Sequence, residues 1–266
     1  MKIGKIALIL IAGALSAAAQ DKITVPLTNP SQPVTLKITQ MNGSIKVTAG
    51  TGRDVVVTSA DNRSSRRERD RDQAPPGMTR IGGRPGLDIE EDHNVVQITS
   101  GMNGESEIVV ETPANTNLQL KSINGAAIEV TGVNGDHEIQ NNNGSIKLTD
   151  VSGSVVANSL NGSVTVSLNR VTGNKPMSFT SLNGKIDVTL PADTKARLKL
   201  KSDNGSIFSD FEVKLDSSGG STIEDSRGKD GKYRISVDRT VSGTINGGGP
   251  DFTFRTMNGN ILIHKK

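Results

Sequence analysis

Ten Asn-Gly pairs punctuate the chain of 266 residues, and most of them sit in one recurring frame. Read at Asn42, Asn124, Asn161, Asn183, Asn204 and Asn258, the residue four before is Ile38, Leu120, Ala157, Phe179, Leu200 and Phe254. Two before stand Gln40, Ser122, Ser159, Ser181, Ser202 and Thr256, and three after stand Ile45, Ala127, Val164, Ile186, Ile207 and Ile261. An apolar residue, a small polar residue, a sharp corner and a second apolar residue describe strand, corner and strand. Between Asn124 and Asn204 the pairs fall at 124, 143, 161, 183 and 204, and a period near twenty residues marks stacked coils.

Asn tolerates left-handed backbone and Gly adopts it freely, so the pair fits an abrupt change of strand direction. The same dipeptide is the strongest short hairpin signal, which leaves an antiparallel sandwich as the competing architecture. Hairpin turns need not share a frame, whereas stacked coils place equivalent positions over one another. The strands alternate accordingly: Val164, Val166 and Leu168 are separated by Thr165 and Ser167, the signature of a half-buried strand. No stretch after the N-terminal leader has a helical period. A second cue is the duplication of Pro113-Ala114-Asn115-Thr116 as Pro191-Ala192-Asp193-Thr194, each leading into a Leu-x-Leu strand and an Asn-Gly corner.

These observations predict an all-β chain, a single-domain parallel β-solenoid (β-helix) with coils of about 20 residues. Composition agrees with a thin core: there are 29 Gly, no Trp, one Tyr and five Phe. Residues 1–19 read as a signal peptide, with Lys2 and Lys5 before an apolar run and Ala17-Ala18-Ala19 as the cleavage signal. The predicted mature domain, 20–266, has no transmembrane segment, since that run is too short to span a bilayer. Export to the periplasm, outer surface or medium follows. With no Cys there is neither a disulfide framework nor a lipid attachment point. Removal of the leader takes the formal charge from +3 to about +1, which argues against nucleic acid as a partner. Two polar insertions are expected, 61–86, with the run Arg66-Arg67-Glu68-Arg69, and 216–232, after which Tyr233 to Val237 resumes the strand pattern.

Stacking predicts that Asn42, Asn124, Asn143, Asn161, Asn183, Asn204 and Asn258 form a corner ladder of amides bonded from coil to coil. The small polar residues two before would run beside it. The residues one before, Met41, Ile123, Leu160, Leu182 and Met257, pose a parity problem. On an extended strand they point away from the neighbours that share the Asn face. Either a bulge turns them inward, or they form an exposed apolar column that serves as a contact surface.

The chain resembles the adhesin-like domain family of unknown function carried by exported bacterial proteins. The resemblance runs from about Val34 to Lys266. It is carried by Pro191-Ala192-Asp193-Thr194 leading to Ser202-Asp203-Asn204-Gly205-Ser206-Ile207, and by Gly243-Thr244-Ile245-Asn246-Gly247-Gly248-Gly249-Pro250 followed by Thr256-Met257-Asn258-Gly259-Asn260-Ile261. It implies a right-handed stack of β-coils outside the cytoplasm, and no catalytic residues.

The residues themselves offer little chemistry. Parallel β-helices also host polysaccharide lyases and glycosidases, so a carbohydrate-active enzyme is the alternative, with Asp88, Glu90, Asp136, Glu138 and Asp187 as candidate carboxylates. Nothing in the frame recurs to gather a pair of them into one cleft. His93, His137 and His264 lack zinc spacing and read as surface residues. Gly247-Gly248-Gly249-Pro250-Asp251 only superficially matches a calcium-binding repeat, and it occurs once. The four Asn-Gly-Ser sequences match a glycosylation acceptor, yet corner geometry already accounts for them. The expectation is therefore a non-catalytic binding or structural protein of the bacterial envelope without a cofactor or metal. Its partner would be an envelope or surface protein or polysaccharide, an assembly partner among them.

Overall fold

A computed structural model describes residues 21–61, 87–100, 106–172, 174–216, 222–227, 233–238 and 240–266. The expected leader, the Arg-rich part of the first insertion and the stretches 217–221 and 228–232 lie outside these residues. Among the described residues every regular element is a strand, and no helix is long and apolar enough to cross a membrane.

Nineteen strands join into one continuous sheet that bends through corners. It is best followed as two ladders. In spatial order the first contains Leu87–Asp92, Val95–Ser100, the first half of Val34–Gly50, Thr116–Asn124, Asn134–Asn141 and the second half of Ser145–Ser159. It continues through Met177–Asn183, Asp251–Asn258, Ala196–Asn204, Val241–Ile245 and Lys214–Leu215. The second contains Asp21–Val25, Val55–Asp61, Ser106–Pro113, the second half of Val34–Gly50, Ala127–Thr131 and the first half of Ser145–Ser159. Val164–Val171, Ile186–Leu190, Ile261–Lys265 and Ile207–Ser209 complete it. Neighbours within the body of each ladder are parallel.

Alternation places the core. On Val34–Gly50, Val34, Leu36, Ile38, Ile45 and Val47 are buried while Thr35 and Lys37 between them are not. The residues four before each Asn are all buried, and both ladders contribute to one apolar cluster. Parallel strands stop at the ends of the stack, where Val55–Asp61, Leu87–Asp92 and Val241–Ile245 pair antiparallel with their neighbours. Each such return covers backbone groups that an open parallel edge would present to other chains. Tyr233–Asp238 is a strand but does not rejoin the stack as expected. It pairs with Thr222–Arg227 as a separate antiparallel hairpin, so the second excursion from the coils extends beyond Lys232.

The order of coils in space differs from their order in the chain. The coil of Asn258, last in sequence, lies between the coils of Asn183 and Asn204: Asn258 is in register with both. Near the other end, Val34–Gly50 lies between the later strand Val95–Ser100 and Thr116–Asn124. The terminal coils are thus held on both sides rather than fraying at the ends.

Glycine serves a different purpose at these corners from the one expected of it. Gly125, Gly144, Gly162, Gly184 and Gly205 are not left-handed, although Gly43 and Gly259 have φ of 119° and 159°. What the column lacks is room. A Cβ on Gly144, Gly162, Gly184, Gly205 or Gly259 would lie closer than 3.0 Å to backbone of the adjoining corner. Glycine therefore sets how closely the coils approach. None of the ladder asparagines has positive φ either.

His137 is a further departure from expectation. It points into the core, 2 % exposed, between Leu118 and Val155 in the neighbouring coils. Neither ring nitrogen has a hydrogen-bond partner among the described residues. Burial holds its pKa below the ordinary value; the Ser152 and Val133 backbone and the charge of Asp136 offset this only in part. Exclusion of water, which would stabilise its charge, favours the neutral ring.

Two outcomes follow. Gly162→Ala should lower unfolding free energy by about 1–3 kcal/mol in urea titrations, as overpacking does, whereas Gly52→Ala, whose Cβ would meet only Asp54 N at 4.0 Å, should change it by less than about 0.5 kcal/mol. For His137, the unfolded chain binds a proton near pH 6.5 that the folded chain refuses, so stability is complete above that pH and declines as pH falls below it. In His137→Leu, stability measured from about pH 8 to about pH 5 should decline less steeply.

Candidate functional site

Each corner combines three contacts that strand alternation brings within reach. Asn143 Nδ2 donates to Asn124 Oδ1 at 3.1 Å, Asn161 to Asn143 at 2.9 Å and Asn183 to Asn161 at 2.9 Å. The series continues from Asn258 to Asn183 at 2.7 Å and from Asn204 to Asn258 at 2.9 Å. All five bonds run in one sense along the stack, an arrangement in which successive amide dipoles reinforce one another. Asn42 stands in register with Asn124 at the ladder's far end.

The residues two before the Asn do not run beside this ladder on the surface. They are buried beneath it, and their hydroxyls donate to the glycine carbonyl of the adjoining corner. Ser159 Oγ reaches Gly144 O at 3.0 Å, Ser181 reaches Gly162 at 2.9 Å, Thr256 reaches Gly184 at 2.9 Å and Ser202 reaches Gly259 at 2.8 Å. Ser122 is the exception: its hydroxyl has no partner among the described residues, and the Gly43 carbonyl accepts from the Ala126 N–H at 3.2 Å. Small hydroxyls recur because each satisfies a carbonyl that the tight corner removes from water.

The parity question resolves outward. Leu160, Leu182 and Met257 are 47 %, 38 % and 46 % exposed, while Met41 and Ile123 are half-buried. No bulge turns them in, since the inward place at each corner is already taken by the residue two before the Asn. In spatial order the column runs Met41, Ile123, Asn142, Leu160, Leu182, Met257 and Asp203, so a polar residue interrupts it once and an acid closes it. Beside its three most exposed members lies an open groove of about 550 Å³, also lined by Gln140, Asn158, Thr180, Arg255 and Asp203. The sequence reading picked out the column but not the neighbouring residues three before each Asn, which supply the groove's amides, hydroxyl and cation. Their spacing from the Asn was the available signal.

The candidate acids are divided among separate places. Asp88 and Glu90 lie on Leu87–Asp92 near one end of the first ladder, and Asp187 lies on the second ladder. Asp136 and Glu138 share the outer side of Asn134–Asn141. Lys175 Nζ meets Asp136 at 2.7 Å and Ser154 Oγ meets it at 2.6 Å, and these two bonds hold its carboxyl below the usual range. Asp187 pairs with Lys185 at 2.9 Å. Among the histidines, His93 is exposed beside Asp92, and His264 lies between Asp210 at 3.0 Å and Asp187 at 3.6 Å. Those contacts tie the inserted terminal coil to the coils on either side. Among the described residues, no three His, Asp or Glu side chains converge as metal ligands.

Comparison with known proteins places this geometry. No curated protein matches the chain. Among solved structures it is similar to a protein from Clostridium sporogenes provisionally named a cell adhesion protein, at 10 % identity and a TM-score of 0.44, over 93 % of this chain and 100 % of that one. The family model of Toastrack DUF4097 matches residues 91–246, which include the Asn124 to Asn204 coils and end just before the last one. Matched over more than half of its length, the chain belongs to the Toastrack DUF4097 family.

Proposed function

We propose that this protein is a non-catalytic, exported β-solenoid, right-handed and wound in coils of about twenty residues, which acts as an adhesin-like binding or structural protein of the bacterial envelope. Residues 1–19 would be removed on export, leaving 20–266 as one domain with excursions near 61–86 and 216–232. The observation that carries the binding reading is the row of Leu160, Leu182 and Met257 standing in solvent beside the groove. Aliphatic side chains gain by leaving water. On a rigid stack they are already in place, so little ordering entropy opposes association.

The partner that suits this surface best is an extended segment of another envelope protein. The row follows the stack axis, and the amides and hydroxyl of Gln140, Asn158 and Thr180 offer hydrogen bonds beside it. Arg255 and Asp203 provide opposite charges at one end. Among the described residues, the groove lining contains no aromatic ring on which a sugar face would stack. That favours protein over polysaccharide.

A photo-crosslinking residue at Thr180, in cells producing the full chain, should capture a protein of defined mass. Leu160→Asp combined with Leu182→Asp should reduce capture roughly tenfold or more while leaving the unfolding midpoint nearly unchanged. Capture unaffected by the double variant, or association with purified envelope polysaccharide alone, would rule out this use of the face.

A further inference from the structure

Each Asn-Gly pair carries a latent reaction. The glycine nitrogen attacks the asparagine Cγ, a C–N bond forms, the bond from Cγ to Nδ2 breaks, and ammonia leaves. The resulting five-membered succinimide is opened by water at either carbonyl, giving aspartate or isoaspartate without any change of oxidation state. A following glycine favours the attack because it has no Cβ to obstruct it. Ten such pairs in one exported chain are a chemical liability.

The ladder opposes the first step. To meet the next nitrogen, Cγ must swing out of the position in which its oxygen and nitrogen are both bonded to neighbouring coils. Asn143, Asn161, Asn183 and Asn258 each donate to one neighbouring asparagine and accept from the other. Each would break two hydrogen bonds. Asn134 precedes Gly135 at the opposite corner, half-exposed, and its side chain has no hydrogen bond among the described residues. It differs from the ladder members in this restraint while sharing the dipeptide.

We propose that the asparagine ladder acts as a brake on succinimide formation, and that, among the described Asn-Gly pairs, Asn134-Gly135 converts ahead of the ladder members in the folded chain. The brake is directional. An aspartate at position 161 keeps oxygens that accept from Asn183 Nδ2 but has no N–H for Asn143 Oδ1. Acceptor then faces acceptor, and Asn143 loses one of its restraints while Asn183 keeps its bond to position 161. A first lesion therefore exposes the neighbour on one side, and damage travels along the stack from each donor to its acceptor, from 161 towards 143 and 124.

The test is peptide mapping by mass spectrometry, with isoaspartate detection, of the full chain aged at mildly alkaline pH, both folded and in urea. In urea the Asn-Gly pairs should convert at similar rates. In the folded chain, Asn143, Asn161, Asn183 and Asn258 should convert roughly tenfold or more slowly than Asn134. Equal rates at Asn134 and the ladder positions of the folded chain would overturn the proposal. A second arm uses Asn161→Asp, with its circular dichroism checked against the parent. Faster conversion at Asn143 with Asn183 unchanged supports the ladder as the brake. Equal acceleration at both positions, or at neither, overturns it; if the variant does not fold, the parent chain alone decides.

Discussion

The spacing between coils at the Asn-Gly corner is the constraint on which the rest depends. Backbone of one corner rests on backbone of the next, at a separation that leaves no room for a Cβ. That closeness brings the asparagine amides to 2.7–3.1 Å of one another outside, and the buried hydroxyls to 2.8–3.0 Å of glycine carbonyls inside. A wider corner would forfeit both, leaving carbonyls removed from water without partners. Three residue types are thus fixed by one distance, which explains why they recur together rather than separately.

A repeated corner also makes coils interchangeable, and this limits what the pattern alone can say about order. Any framed coil presents the same donors, acceptors and apolar positions to any other. The sequence therefore discloses strands, corners and inward positions, but not that the Asn258 coil is inserted before that of Asn204. The selection comes from contacts outside the frame. Phe254 stacks on Phe179 with ring centroids 4.9 Å apart, a pairing worth about 0.5–1.5 kcal/mol beyond area burial. Lys266 reaches Asp150 at 2.8 Å and Asn169 at 2.5 Å. The concentration of phenylalanines in the last ninety residues was the available cue, but which rings meet depends on connections that periodicity does not describe.

The candidate face was legible to a similar degree. Alternation located Leu160, Leu182 and Met257 on the side opposite the buried hydroxyls, yet it could not decide whether the corner rotated them. Occupancy decides it: Ser159, Ser181 and Thr256 already fill the inward places and are bonded there. His137 shows the converse failure. Its acidic neighbours Asp136 and Glu138 suggested a surface residue, whereas strand parity counted from Ile139, two residues on and on the same face, places it inward. The ring then shares a column with Leu118 and Val155.

These features distribute stability and recognition to different sides of the same strands. Inward residues and corners determine coil spacing and are bonded to their neighbours in both directions, so changes there propagate. Outward residues on the first ladder are held in rows by that spacing but take no part in setting it. Leu182 and Met257 come from segments 75 residues apart in sequence, yet they adjoin because Asn183 and Asn258 are in register. The groove beside them exists only when the terminal coil is in place. Insertion of that coil accordingly completes the core through Phe252 and Phe254 and, in the same step, the outer row through Met257 and Arg255. A chain whose last coil has not docked lacks part of both.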